Sequence, residues 1–278
     1  MNPSNKTIII TGASSGIGSA VAREFHEKGW NILANGRDLS RLKSLEDELG
    51  DDRVEIFQAD IGQKQNVNSA LSLALKKWGS IHAVFIGAGF GIGGNIGEKP
   101  MEHAGDIVQI NLLGPIYLLE ALTPIFKKQG FGHVIGVGSV AGIKPAPGFA
   151  LYSATKFALR ALFESWRNEI QEFGVKTTIL QPGVVDTPFW EVFSDGGEPV
   201  QFGQDLMLSS EEIGALTYQI VDTPTHLAVN EITVRPSKQL RWSGESQSMG
   251  SITKTKAAIL VELNQSLEIV DLELPVLR

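Results

Sequence analysis

The chain has 278 residues, 42% of them hydrophobic, enough for one large domain with a sizeable core. Lys and Arg total 24 against 31 Asp and Glu, a net charge of −7, and this balance argues against nonspecific binding to nucleic acid or to anionic membranes. There is no cysteine, which excludes disulfides, thiolate zinc sites and a cysteine nucleophile. No uninterrupted apolar run reaches the roughly 18 residues of a membrane span, and the opening MNPSNKTIII lacks the charged-then-apolar pattern of a signal peptide. A cytoplasmic protein is the expectation.

Short apolar runs alternate with helix-period segments from residue 6 onward. KTIIIT (6–11) reads as a buried strand, and 18–29 as a helix closed by Gly29. A second strand at 31–35 leads to a helix at 39–50, and a third at 53–60 to a helix at 67–79. HAVFIGAG (82–89) is the fourth strand, followed by a long helix over about 102–128. The fifth strand at 133–140 precedes a helix at 152–173, and the sixth at 175–183 precedes a serine-capped helix at 209–221. NEITVRP (230–236) is the seventh strand. This alternation predicts an α/β domain over residues 1–240: a parallel sheet with helices on both faces. Residues 241–253 read as a polar linker and 254–278 as a tail of two strands around Asn264–Gln265–Ser266, a β-hairpin.

The first strand runs into TGASSGIG, which sets Gly12, Gly16 and Gly18 between a strand and a helix, with Ser14, Ser15 and Ile17 among them. Glycine lets backbone turn tightly and approach a phosphate, and the helix N-terminus supplies N–H donors and positive potential. The end of the second strand then chooses between nicotinamide cofactors. An acid there favours NAD, whereas arginine favours the 2′-phosphate of NADP. The chain reads LANGRDLSR: Gly36 stands at the acid's place, Arg37 follows, and Asp38 is placed to cap the next helix. NADP(H) is the predicted cofactor. Asp60, beside Ile61 at the end of the third strand, suits the adenine amino group, and is nearly as readable as a turn or cap residue.

In LYSATKFALRAL (151–162), Tyr152 and Lys156 fall on one helix face. Their stems could simply cover the surface. Alternatively, the ammonium lowers the phenol pKa from its usual value of about 10 and lets the phenol trade protons. The pair alone leaves both open. Asn111 lies in the apolar stretch IVQINLLGPIYLL, where its amide needs buried partners. The five histidines (26, 82, 103, 133 and 226) show no metal-ligand spacing, and no metal is expected.

Over roughly residues 6–239 these features resemble, in order, those of the short-chain dehydrogenase/reductase family: the glycine turn, Asn111 in INLLG, Ser139 in VGSVAG, Tyr152 and Lys156 in YSATK, and Pro182, Gly183 and Thr187 in PGVVDT. Tyr152 follows Ser139 by 13 residues, the spacing of the family's active members. The resemblance implies a doubly wound, seven-stranded Rossmann sheet in a single domain. It implies hydride transfer between NADP(H) and a small carbonyl or secondary alcohol, as in a carbonyl reductase or alcohol dehydrogenase. Tyr152 would be the general acid or base, Ser139 would hold the substrate oxygen, and Lys156 would serve both the phenol and the nicotinamide ribose. Asn111 would hold a water linking the lysine to solvent. Ala88, Gly89, Val185 and Thr187 would join the cofactor contacts. One departure stands out. The family's usual Asn-Asn-Ala-Gly is here Ile86-Gly87-Ala88-Gly89, which removes two side-chain amides and predicts lower stability or altered cofactor affinity. A homo-oligomer, tetramer or dimer, is expected, with no nucleic-acid or membrane partner. The competing readings are a non-catalytic NADP-binding regulatory protein, which would usually lack the tyrosine or lysine, and an epimerase or dehydratase, which would usually carry TGxxGxxG.

The segment VVDTPFWEVFSDGGEPVQFGQDLML after Gly183 is expected to cover the substrate. Its aromatics Phe189, Trp190, Phe193 and Phe202 suit an apolar body. Its acids Asp186, Glu191, Asp195, Glu198 and Asp205 predict a neutral carbonyl rather than a keto acid, unless Lys144 reaches in. Residues 249–278 resemble the opening strands of a medium-chain zinc-type alcohol dehydrogenase, without the cysteines that family uses for zinc. They read as a fused fragment outside the active unit.

Overall fold

The computed structural model describes residues 6–50, 52–98, 102–194, 202–203, 206–238, 254–259 and 268–273. The 241–253 linker, the Asn264–Gln265–Ser266 turn and the lid acids Asp195, Glu198 and Asp205 lie outside them. The chain divides into two units, Met1–Trp242 and Ser243–Arg278.

The first unit begins with strand β1 (Thr7–Thr11), helix α1 (Gly16–Glu27), β2 (Asn31–Gly36) and α2 (Leu39–Leu49). β3 (Val54–Gln58), α3 (Lys64–Trp78) and β4 (Ala83–Ile86) follow. The long helix expected next is interrupted. α4 (Ala104–Val108) passes into a π turn at Gln109–Leu113 before α5 (Gly114–Gln129). Then come β5 (Gly132–Val137), α6 (Ala150–Ile170), β6 (Val175–Pro182), the short α7 (Phe189–Phe193), α8 (Ser210–Val221) and β7 (Glu231–Val234). The strands form one parallel sheet in the order β3-β2-β1-β4-β5-β6-β7. This is the doubly wound Rossmann arrangement.

Side-chain alternation along β1 builds the two faces. Ile9 joins Ala70 of α3, Leu118 of α5 and Leu159 of α6 in one core cluster. Ile8 and Ile10 join Val21 of α1, Leu42 of α2 and Ile213 of α8 in the other. A strand covered on both sides must be apolar at every position, which explains the unbroken isoleucine run. The stretch Ala104–Gln129 is long and apolar enough by composition to cross a membrane. Here its Leu118, Leu119, Leu122 and Phe126 are buried in the sheet-facing core. In the second unit, β8 (Lys254–Ile259) and β9 (Glu268–Glu273) pair antiparallel, from Lys254 opposite Glu273 to Ile259 opposite Glu268. The two strands flank the expected turn, and the first starts where the tail was expected to begin, at Lys254.

His133 on β5 shows how firmly this core is closed. The Thr178 hydroxyl donates to the Val229 carbonyl, so it accepts from the His133 Nε2–H at 2.8 Å. Burial, with Lys176 nearby, pushes the imidazole pKa down from 6.5 to about 3. Because the folded pKa lies below the unfolded one, the unfolded chain binds the extra proton between these two values. Stability is therefore lost as pH falls through that window. Relative to His133→Gln, the native chain should lose about 3 kcal/mol of unfolding free energy between pH 6.5 and 4. Urea titrations of both at several pH values measure it, and parallel pH profiles would contradict it.

Candidate active site

β1 ends at Thr11, and the chain turns sharply before α1. Gly12 (φ +75°) and Gly16 (φ +53°) hold left-handed conformations that side chains resist. Space reinforces the requirement. A Cβ at Gly12 would lie 2.8 Å from the Ala88 nitrogen, and one at Gly16 would lie 2.9 Å from the Thr187 methyl. The glycine turn is thus wedged between the end of β4 and the segment after β6. The missing Asn-Asn amides have a local substitute. The Thr11 hydroxyl accepts from the backbone N–H of Gly87 at 3.1 Å and of Ala88 at 3.2 Å, tying β1 to the end of β4.

At the end of β2, a Cβ on Gly36 would sit 3.1 Å from the Ser14 hydroxyl and 3.0 Å from its Cβ. Ser14 therefore fills the space an acid would need. Arg37 is exposed, its guanidinium 6.0 Å from the centre of the Phe90 ring. Asp38 caps α2 as expected, accepting from the Arg41 N–H at 3.1 Å and pairing with its guanidinium at 3.4 Å. The Asp60 carboxylate accepts from the Gly62 N–H at 2.8 Å, which is the turn role.

The other cluster forms where β5 and α6 meet. Ser139 caps a single 3-10 turn (Val140–Gly142), its hydroxyl accepting from the Ala141 N–H at 3.1 Å. Its own N–H donates to the Gln181 side chain. The helical spacing of α6 turns Tyr152, Thr155 and Lys156 inward, all buried. Lys156 Nζ donates to the Val137 carbonyl at 2.8 Å and lies 5.4 Å from the Tyr152 ring centre. Burial pushes the phenol up to about 12, opposed by a hydrogen bond with the Ser139 side chain. Burial likewise pushes Lys156 down to about 8. The expectation of a phenol lowered by its ammonium neighbour is therefore corrected. Desolvation is the larger effect, and the ammonium is directed at a carbonyl.

Asn111 sits in the π turn, a local widening of the helix that often marks functional sites. Its carboxamide accepts from the Phe90 N–H at 3.0 Å and donates to the Phe90 carbonyl at 2.8 Å. It also donates to the Thr155 hydroxyl at 3.1 Å, which in turn donates to the Tyr152 carbonyl at 2.8 Å. Here the amide clamps the segment after β4 against α6.

A cleft of about 730 Å³ runs between these two clusters. Gly12, Ser14, Ser15, Gly16, Ile17 and Gly18 line it on one side. Arg37, Asp60, Ile61, Ala88 and Gly89 follow, then Ser139, Tyr152 and Lys156, and finally Pro182, Gly183, Val185 and Thr187. Of the catalytic and cofactor-binding residues expected from sequence, only Asn111 stands outside the lining. Sequence reasoning missed Phe90, Phe149 and Arg235, which also line the cleft. Phe90 directly follows the Ala88–Gly89 pair, and that adjacency was its only signal.

The aromatic segment lies over Tyr152. Phe189 is 5.3 Å from the Tyr152 ring and 5.6 Å from Phe193, which stacks on Phe149 at 4.3 Å. Trp190 packs on Phe202 at 4.8 Å. Asp186 and Glu191 are exposed and do not line the cleft, whereas Lys144 does. Among the described residues, no group of three or more acids and histidines is placed to hold a metal ion.

The profile described as short chain dehydrogenase matches residues 6–196. The chain belongs to the short-chain dehydrogenase family. It is an oxidoreductase of that family. An uncharacterized oxidoreductase of Staphylococcus epidermidis is 33% identical over 231 residues, covering 83% of this chain and 97% of that protein. The structure of an alcohol dehydrogenase from the archaeon Thermococcus sibiricus, complexed with 5-hydroxy-NADP, aligns with a TM-score of 0.76 and 28% identity over 84% of this chain and 98% of its own. The closed form of a serine dehydrogenase complexed with NADP+ aligns with a TM-score of 0.79 and 26% identity, covering 87% and 99%.

Asn111→Ala would leave both polar groups of the Phe90 peptide backbone without their partner. Both bonds are part-buried, so each loss falls at the low end of the roughly 1–3 kcal/mol of a buried unsatisfied group. The expected result is a loss of roughly 2 kcal/mol in urea unfolding, and a change under about 0.5 kcal/mol would show that the amide does not clamp this segment.

Proposed function

We propose that the chain is an NADP(H)-dependent oxidoreductase acting on carbonyl and secondary-alcohol pairs, with Tyr152 as the proton-trading group. The observation that carries this reading is the single cleft joining the glycine turn and Arg37 to Ser139, Tyr152 and Lys156. The NADP-bound relatives of similar fold support it.

The residues present fit a dinucleotide. The left-handed glycines keep side chains away from the N-terminus of α1, and Ser15 at its N-cap makes no side-chain cap bond. The first N–H groups of α1 and its positive end thereby suit a pyrophosphate. Arg37 beside the Ser14 hydroxyl suits a 2′-phosphate, and the crowding at Gly36 disfavours the acid of an NAD site. Lys156, Pro182, Gly183, Val185 and Thr187 would hold the nicotinamide end. When bound, the nicotinamide supplies hydride exchange with the carbonyl carbon.

The protein's own part is positioning and proton transfer. Ser139 donates a hydrogen bond to the substrate oxygen and stabilises charge developing there. Tyr152 donates its proton to that oxygen during reduction and takes one from the hydroxyl during oxidation. A phenol raised by burial is protonated at neutral pH, the form that donates to the substrate oxygen in the reductive step. Lys156 is still cationic at neutral pH and supports the phenolate left after proton donation. The aromatic cover of Phe149, Phe189 and Trp190 suits a substrate with an apolar or aromatic body. Asp186 and Glu191 do not line the cleft and Lys144 does, so a neutral carbonyl remains the reading and Lys144 is the cation that would admit an anionic one.

Tyr152→Phe should reduce carbonyl turnover at least a thousandfold while NADPH binding changes less than threefold. Near-normal turnover would sink the assignment. For the native enzyme, reductive kcat/KM should fall as pH rises through about 8, where Lys156 loses its proton. Reduction that accelerates from pH 7 to 9 would contradict that role. Arg37→Ala should weaken NADPH about tenfold, the scale of one charge-assisted contact, with NADH little changed. Equal losses would separate Arg37 from the 2′-phosphate.

A further inference from the structure

Phe90 stands where the segment after β4 crosses the mouth of the cleft, and both it and Arg37 line that cleft. Its backbone has little freedom, since the Asn111 carboxamide holds its N–H and its carbonyl together. The half-buried ring is therefore presented from a fixed point. Arg37 lies with its guanidinium carbon 6.0 Å from the ring centre, within range of a cation–π contact.

The surroundings leave this ring as the main restraint on the Arg37 side chain. The nearest acid in sequence, Asp38, is engaged in capping α2 and in pairing with Arg41. Among the described residues Arg37 makes no ion pair. Its backbone carbonyl accepts from the Gln58 side chain at 3.1 Å, which fixes the main chain and leaves the guanidinium to Phe90. On the inner side, Ser14 closes the space next to Gly36. An exposed arginine has much rotamer freedom to lose on binding an anion. A flat aromatic face that already holds the guanidinium reduces that loss without competing for its N–H donors.

We propose that Phe90 is a positioning residue for cofactor choice: its ring holds Arg37 at the cleft mouth and so raises affinity for the 2′-phosphorylated dinucleotide over the unphosphorylated one. This rests on the reading of Arg37 as the 2′-phosphate contact. Phe90 acts only through Arg37, so its effect belongs to one nucleotide and vanishes with the arginine.

The test is direct titration of NADPH and of NADH into the full chain, read by nucleotide fluorescence, for the native protein, Phe90→Leu, Phe90→Trp, Arg37→Ala and the Arg37→Ala/Phe90→Leu double variant. An exposed cation–π contact predicts a two- to fivefold weaker NADPH affinity in Phe90→Leu. NADH should be unchanged, and Phe90→Trp should match the native protein or bind NADPH more tightly. In the Arg37→Ala background, Phe90→Leu should have no further effect on the NADPH-to-NADH ratio. If Phe90→Leu weakens both nucleotides alike, or if its effect survives without Arg37, the ring is packing only and the proposal falls while the Arg37 reading stands. If Arg37→Ala itself leaves the ratio unchanged, the Arg37 reading falls and takes this proposal with it. Should Phe90→Leu unfold, Phe90→Trp and Phe90→Tyr, which keep the aromatic face, must still retain native discrimination; its loss in both would overturn the proposal.

Discussion

Gly12 and the Ala88 backbone meet at the carboxyl ends of β1 and β4, and the Thr11 hydroxyl accepts from both Gly87 and Ala88 beside that contact. β1 and β4 are the two strands between which the strand order reverses. At such a point the helices that follow leave toward opposite faces of the sheet, and a crevice opens above the strand ends. Any side chain at position 12 would push these strand ends apart. The cleft, the N-terminus of α1 and the placement of Phe90 all follow from keeping this contact closed. It also explains why the chain tolerates Ile86 and Gly87. The tie usually assigned to side-chain amides after β4 is made here from β1, by a threonine that is itself fully buried.

The chemistry at the other end of the cleft is governed by desolvation. Tyr152 and Lys156 are buried together, and burial penalises the charged form of each: phenolate is disfavoured and ammonium is disfavoured. The pair therefore resists becoming an ion pair in isolation. Such a site is suited to passing a proton at the moment a substrate oxygen gains negative charge, because charge is then created and stabilised within one small volume. Among the described residues Ser139 is the neighbour that lowers the phenol pKa, through a hydrogen bond from the cleft lining. Orientation and pKa control thus reside in the same hydroxyl.

Much of this was legible in the sequence because local rules and global fold agree. The isoleucines of β1, the glycines of the turn, the Asp38 cap and the i, i+4 pair on α6 each have a reason within a few residues of themselves. The misses share a different origin. The π turn holds Asn111, whose amide bonds the Phe90 backbone 21 residues away in sequence, a contact that local pattern does not encode. The pKa directions of Tyr152 and Lys156 depend on how deeply α6 is buried, which spacing does not encode. Contacts between distant segments, rather than propensities, decided both.

Phe90 joins the two halves of the cleft through different parts of one residue. Its ring is 6.0 Å from the Arg37 guanidinium carbon, while its backbone N–H and carbonyl are held by Asn111. Asn111 continues through the Thr155 hydroxyl to the Tyr152 carbonyl on α6. The Asn111 side chain, set in the π turn, joins the segment after β4 to α6. A regular α-helix would rotate Asn111 relative to the residues that follow it, and the amide could not meet Phe90 and Thr155 at once. The irregularity is thus tied to the placement of Tyr152 and Arg37 at opposite ends of one cleft. A residue outside the cleft lining is thereby bonded to two elements that line it.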